Sequence, residues 1–150
     1  MTQKILSFQI ATPERVVFNA EAVESVSLPT KMGEITILPD HLPLVASLVP
    51  GEVRVKVGGQ EISLAVSGGF IEVAPGRVVV LADTAERAEE IDVKRAEEAR
   101  ERARQLMKRE HIAEEIDYTA LAARLEKELA RLKVVRRHRE RKHLSIKVEE

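Results

Sequence analysis

The sequence predicts a β-plus-α protein: an N-terminal all-β sandwich of about eight to ten strands, followed by a C-terminal antiparallel two-helix hairpin. Three observations carry this expectation. Through residues 1–82 apolar and polar residues alternate in short runs broken by Gly and Pro. From Ile91 the apolar period lengthens to about 3.6, that of a helix with one buried stripe. After Leu81-Ala82-Asp83 no strand pattern returns. The expected divisions are a sandwich over 1–84, a linker over 85–90, a helical arm over 91–140 and a basic, irregular end over 141–150.

Leu6, Phe8 and Ile10 alternate with Ser7 and Gln9, as in a half-buried strand. Val16 and Phe18 begin a second strand after the Thr12-Pro13 break, and Val23 to Leu28 and Glu34 to Leu38 give two more, separated by Pro29 and Gly33. Pro39 and Pro43 fix the backbone around His41 and remove amide donors, so His41 belongs to a rigid turn. There it is either an incidental polar residue of a stiff connection or part of a docking tip. Catalysis is disfavoured, because no nucleophile or base arrangement surrounds it. Val53, Val55 and Val57 oppose Arg54 and Lys56, and Gly58-Gly59 supplies the backbone of a tight hairpin into Ile62, Leu64 and Val66. Phe70 to Ala74 and Arg77 to Ala82 meet at Pro75-Gly76, and Val78 to Leu81, apolar on both faces, reads as a central strand.

In the arm, Ala96, Ala99, Ala103, Leu106 and Met107 form a narrow apolar stripe, with Asp92 as helix N-cap. The pattern fades over Glu110 to Glu115. Asp117 caps a second helix, in which Tyr118, Leu121, Ala122, Leu125, Leu129 and Leu132 repeat on one face. A buried Leu contributes roughly 1.5–3 kcal/mol and an Ala methyl only about 0.8 kcal/mol. Ordering about forty residues costs tens of kcal/mol. Either the hairpin is stable only when docked and can detach, or it is permanently packed.

Composition excludes several classes. Charged residues make up 33% and aromatics 3%, and Trp and Cys are absent, so the core is Val, Ile, Leu and Ala, without disulfides, thiolate metal sites or Cys nucleophiles. No apolar run approaches the ~20 residues of a membrane span, and Met1 to Ile10 lacks the form of a signal peptide. The net charge of -1 is unevenly spread: -3 over 1–84, -3 over 85–130 and +5 over 131–150. The basic end is either a solvated helix face or a contact for an acidic partner. Nucleic acid is not expected, for the basic run lacks interleaved aromatics. Phosphate-loop and dinucleotide motifs are absent, and His41, His111, His138 and His143 do not make a metal-ligand set. His138 and His143 fall on an exposed basic stretch. The residues indicate no enzyme and no required cofactor.

Four segments together resemble a known family: Val66-Ser-Gly-Gly-Phe-Ile-Glu-Val-Ala-Pro-Gly76, Val80-Leu-Ala-Asp-Thr-Ala85, Ile91-Asp-Val-Lys-Arg-Ala96, and the loop Gly33-Glu-Ile-Thr-Ile-Leu-Pro-Asp-His-Leu-Pro-Leu44. Over about the first 135 residues the chain is similar to epsilon subunits of bacterial rotary F-type ATP synthases, with Thr36 and Leu42 where that family usually has Gly and Ala. The resemblance implies a non-catalytic rotor subunit, peripheral to the cytoplasmic face of the bacterial cell membrane and not inserted in it. Its sandwich would bind the gamma shaft and rest on the c-subunit ring, with Glu34 and His41 at or near the ring. Extended along gamma, the arm would oppose ATP hydrolysis, Arg131, Arg136, Arg137 and Arg139 meeting acidic segments of the catalytic beta (and alpha) subunits.

Some bacterial members also bind ATP, as a regulatory ligand, on the folded arm through Ile/Leu-Asp-x-x-Arg-Ala. Ile91, Asp92, Arg95 and Ala96 match that motif, and Glu86, Arg102, Lys127 and Arg131 fall at further contact positions, Lys127 standing where Arg is common. Asp92 and Arg95 can equally serve as a helix cap and an ion-pairing residue. Bound ATP at a hundredfold excess over Kd would stabilise the folded arm by about 2.7 kcal/mol. The alternative from another class is a free-standing β-sandwich ligand-binding module with a helical dimerisation tail.

Overall fold

Period-two alternation becomes nine strands and the later pattern two helices in the computed structural model, which describes residues 4–108 and 117–148. The strands are β1 (Leu6–Ala11), β2 (Val16–Thr30), β3 (Gly33–Ile37), β4 (Leu44–Leu48), β5 (Gly51–Val57), β6 (Gln60–Val66), β7 (Gly69–Ala74), β8 (Arg77–Ala82) and β9 (Ala85–Arg87). A 3-10 turn (Ala88–Glu90) leads to α1 (Val93–Lys108) and then α2 (Tyr118–Val148). The polar link expected over Glu110 to Glu115, with His111, lies outside the described residues.

Hydrogen bonding runs in the order β1-β8-β7-β4-β2-β5-β6-β9, with β3 on β2 and β1 also on β2. The 15-residue β2 serves both layers: its first part pairs with β1, and its second part with β5 and β3. It turns between them at a register shift where Ala22 takes a φ of 58°. Strand β1 is parallel to β8 and antiparallel to β2, so both of its edges are occupied. Between the layers lie Leu6, Phe8 and Ile10 with Val26, Leu28, Ile37, Val53, Val55, Leu64, Ile71, Val78 and Val80, all fully buried. Gly58 and Gly59, at φ 57° and 75°, make the two-residue turn between β5 and β6 that requires positive φ at both positions.

Alternation also decides what the outer faces carry. On β5 Val53 and Val55 point inward while Glu52, Arg54 and Lys56 point outward; opposite them β6 presents Ala65, Ser63 and Glu61. This outer face is the one the arm covers. Ala65, Ala88, Ile91, Val134 and Val135 form a second buried cluster, with Val93 against it. Both helix caps are side-chain carboxylates: Asp92 Oδ1 accepts from the Arg95 amide at 3.1 Å, and Asp117 Oδ1 from the Thr119 and Ala120 amides at 3.0 and 3.1 Å.

Four expectations need correction. Residues 85–90 are not a free linker: Ala85, Glu86 and Arg87 add β9 to β6 opposite Val66, Ala65 and Leu64. Residues 141–148 are not irregular either, since α2 continues through Val148, and Arg141 finds the sandwich carboxylates Glu52 and Glu61. The buried stripe of α2 differs from the one expected. Leu121, Ala130, Val134 and Val135 are buried while Tyr118 and Leu129 are exposed, because the later turns face the sheet rather than α1. His138, expected in the open, is half-buried, with Nε2 3.9 Å from Glu89. Among the described residues, no helix is long and apolar enough to cross a membrane.

Candidate functional site

The seam between sandwich and arm brings together three of the proposed nucleotide residues, Glu86, Ile91 and Arg131, and two of them already pair with each other. Glu86 on β9 accepts from Arg131 of α2 twice, at 2.8 Å from Nε and 3.1 Å from Nη2, while Arg131 Nη1 reaches Glu128 at 2.7 Å. Burial works against the Arg131 charge, but the bonds to Glu86 and Glu128 outweigh it and hold the guanidinium above its ordinary pKa. Ile91 and Ala96 are buried and Asp92 caps α1. Arg95 and Arg102, seven positions apart and so on one face of α1, are exposed, and among the described residues neither makes an ion pair. Lys127 is half-buried on α2. The structure therefore joins Glu86 to Arg131 directly and leaves Arg95 and Arg102 facing water.

The four arginines expected to meet catalytic subunits divide in the same way. Arg131 is bound as above, and Arg137 Nη1 lies 3.6 Å from Glu52. Arg136 is exposed, with Glu140 at 3.9 Å its one acidic partner among the described residues, and Arg139 is exposed. Arg136 and Arg139 line an open groove of about 950 Å³ along the helices, together with Arg100, Lys133 and Leu132.

Glu34 and His41 are not brought together. Glu34 sits near the start of β3 and pairs with Arg54 at 2.5 Å; His41 follows the other end of that strand. The His41 ring donates from Nδ1 to the Leu42 carbonyl at 2.7 Å, which fixes the Nδ1–H tautomer. Asp40, at φ 69°, turns to Lys4 at 2.5 Å rather than to His41. Leu38 and Leu42 on either side are exposed.

One surface escaped the sequence reading. On the outer face of the other layer, Phe70 lies directly opposite Leu81, which in turn pairs with Ala11, and Val45 lies on adjoining β4. Val45, Phe70 and Leu81 are 72%, 60% and 61% exposed, an apolar strip on a face that none of the described residues covers. Strand β8 is central, as expected, but only one of its faces is buried. The double-sided apolarity of Val78 to Leu81 was the available signal.

Two family models match the chain: ATP synthase, Delta/Epsilon chain, beta-sandwich domain over residues 5–88, and ATP synthase, Delta/Epsilon chain, long alpha-helix domain over residues 89–136. An ATP synthase epsilon chain of Dehalococcoides mccartyi is 48% identical over 134 residues, which is 89% of this chain and 94% of that one. One from Desulforamulus reducens is 47% identical over 130 residues, 87% and 96% of the two chains. Among solved structures, a chain of the Euglena gracilis mitochondrial ATP synthase (OSCP/F1/c-ring, rotational state 1) has a TM-score of 0.69 at 26% identity, covering 82% of this chain and 76% of its own. A chain of the Tetrahymena thermophila mitochondrial ATP synthase central stalk and c-ring shares the fold, with a TM-score of 0.55 at 12% identity over 91% and 96% of the two chains.

Proposed function

The chain belongs to the delta/epsilon family of ATP synthase subunits, and we propose that it is a rotor subunit that couples the gamma shaft to the c ring and restrains ATP hydrolysis through its helical arm. The observation that carries this reading is the division of its two outer faces. One is a polar sheet face covered by the arm; the other is the uncovered apolar strip of Val45, Phe70 and Leu81. An uncovered strip of this kind suits a permanent protein partner, here gamma. The loop carrying His41, flanked by exposed Leu38 and Leu42, together with Glu34, is the contact assigned to the ring. Attachment is through that ring, at the cytoplasmic side of the membrane.

The folded arm is the permissive state in this proposal. Arg131 and Arg137 are held by the sandwich carboxylates Glu86 and Glu52 while the arm is down, and extension releases them from these, beside Arg136 and Arg139, for acidic surfaces of the catalytic subunits. ATP is the regulatory ligand of the folded state, taken up by Arg95 and Arg102 of α1. It must displace Glu128 to reach Arg131.

Mixing the protein with its own gamma subunit tests the reading. A one-to-one complex is expected, and Phe70→Glu with Leu81→Glu should abolish it without altering the circular dichroism spectrum. Self-association through the arm with no gamma binding would support the free-standing ligand-binding module instead.

A further inference from the structure

Beyond residue 136, where the helical family match ends, α2 runs on along the sandwich and brings two arginines over one carboxylate. Glu52 belongs to β5, yet its side chain is only 5% exposed, because α2 lies across that face. Its two oxygens are taken by different guanidinium groups: Oε1 by Arg141 Nη2, and Oε2 by Arg137 Nη1 at 3.6 Å. Arg141 Nη2 also donates to Ser63 Oγ at 2.8 Å, and its Nε lies 3.1 Å from Glu61 Oε1. One side chain thereby ties the end of the arm to both β5 and β6.

We propose that Arg141 and Arg137, closing over Glu52, form a charge latch that holds the arm on the sandwich without any nucleotide. The physical basis is asymmetric desolvation. Docking α2 strips water from Glu52, and a carboxylate so buried is tolerated only with charged partners in place. With the arm away, Glu52 and both arginines are hydrated again. The latch therefore makes docking conditional on correct pairing, and it lies apart from the residues assigned to ATP. The inference deepens the reading of a detachable arm, and its test requires no partner subunit.

The chain contains no cysteine, so a single Ala65→Cys placed beneath α2 (the alanine there is 4% exposed) reports opening through its thiol-labelling rate. Arg141→Gln in that background should raise the rate about tenfold or more, while the urea transition of the sandwich itself, which starts from the opened arm, keeps its midpoint. Arg137→Gln should have a smaller effect of the same sign. The pair Glu52→Leu with Arg141→Leu should return labelling to the parental rate, since no buried carboxylate then needs a partner. Unchanged labelling in Arg141→Gln would overturn the latch. So would a lowered midpoint for that sandwich transition, because the contact would then belong to the sandwich fold rather than to docking of the arm. If the latch variant opens but leaves hydrolysis by the assembled synthase unaffected, the inhibitory role fails and the latch stands.

Discussion

Val134→Ala separates a docked arm from a permanently packed one. Val134 is 1% exposed, in the cluster with Ala65, Ala88, Ile91 and Val135, and outside the sandwich core proper. The substitution deletes two methyl groups, about 1.6 kcal/mol at 0.8 kcal/mol per buried carbon. Incomplete collapse of the cavity brings the loss to about 2 kcal/mol. Ala gains up to about 0.7 kcal/mol of helix propensity, but the gain acts on α2 in both the docked and the extended arm and cancels from docking. The ratio of open to docked arm should therefore rise about fifteen- to thirtyfold. Native-state hydrogen exchange reads this directly: peptides from α2 and from β6 facing the seam exchange through arm opening, with less protection than those of β1 and β8, which need global unfolding, and they accelerate by that factor. Equal protection of the seam and of β1 and β8 in the parent protein would mean that arm and sandwich unfold only together. No acceleration anywhere would mean that the apolar seam does not hold the arm.

Three further outcomes are expected. Gly69→Ala should lower the denaturation midpoint by an amount corresponding to more than about 2 kcal/mol: φ is 123° there, and a Cβ would stand 2.1 Å from the Leu81 carbonyl oxygen. Glu24 accepts the Gly59 amide at 2.7 Å and lies 3.3 Å from Lys56, which hold its pKa below the usual glutamate value. Its stabilising contribution is thus full above that usual value and lost as pH falls through the depressed one. Glu24→Gln should therefore lower stability at neutral pH, leave it comparatively little changed below the depressed pKa, and so flatten the acid limb of the stability profile. In calorimetric titration, ATP should bind one to one, lose binding in Arg95→Ala and bind several-fold tighter to Glu128→Ala, which frees Arg131 Nη1; a flat titration of the parent protein across the millimolar range would leave Asp92 as a helix cap alone.

What was legible in the sequence was local. The β5–β6 hairpin is legible because alternation and a Gly-Gly turn are rules between neighbours, and the caps at Asp92 and Asp117 are legible for the same reason. Strand β9 was not, because Ala85, Glu86 and Arg87 show no alternation of their own and pair only where β6 offers a free edge. The length of α2 was hidden similarly. The stretch from Arg141 onward reads as a basic, irregular end until the carboxylates that hold Arg141 appear on strands far earlier in the chain. The apolar strip of Phe70 and Leu81 looked like core, since composition does not distinguish a face covered by the same chain from one left for another. Of the proposed nucleotide set, the Glu86–Arg131 pair emerges only from the fold, which crosses 45 residues to make it.

Arg141 and Glu52 are separated by 89 positions. On a ribosome adding about 5–20 residues per second, Glu52 is made roughly 4 to 18 seconds before the side chain that covers it. The parallel pairing of β1 with β8 needs the chain only as far as Ala82, so the sheets can close within that interval and the helix settles onto a finished surface. The face awaiting it carries Glu52, Arg54, Lys56, Glu61 and Ser63, groups that water wets readily, whereas an unbroken apolar face would invite aggregation during the wait. The same chemistry that lets a nascent sandwich stand bare also lets a mature one stand bare each time its arm is elsewhere.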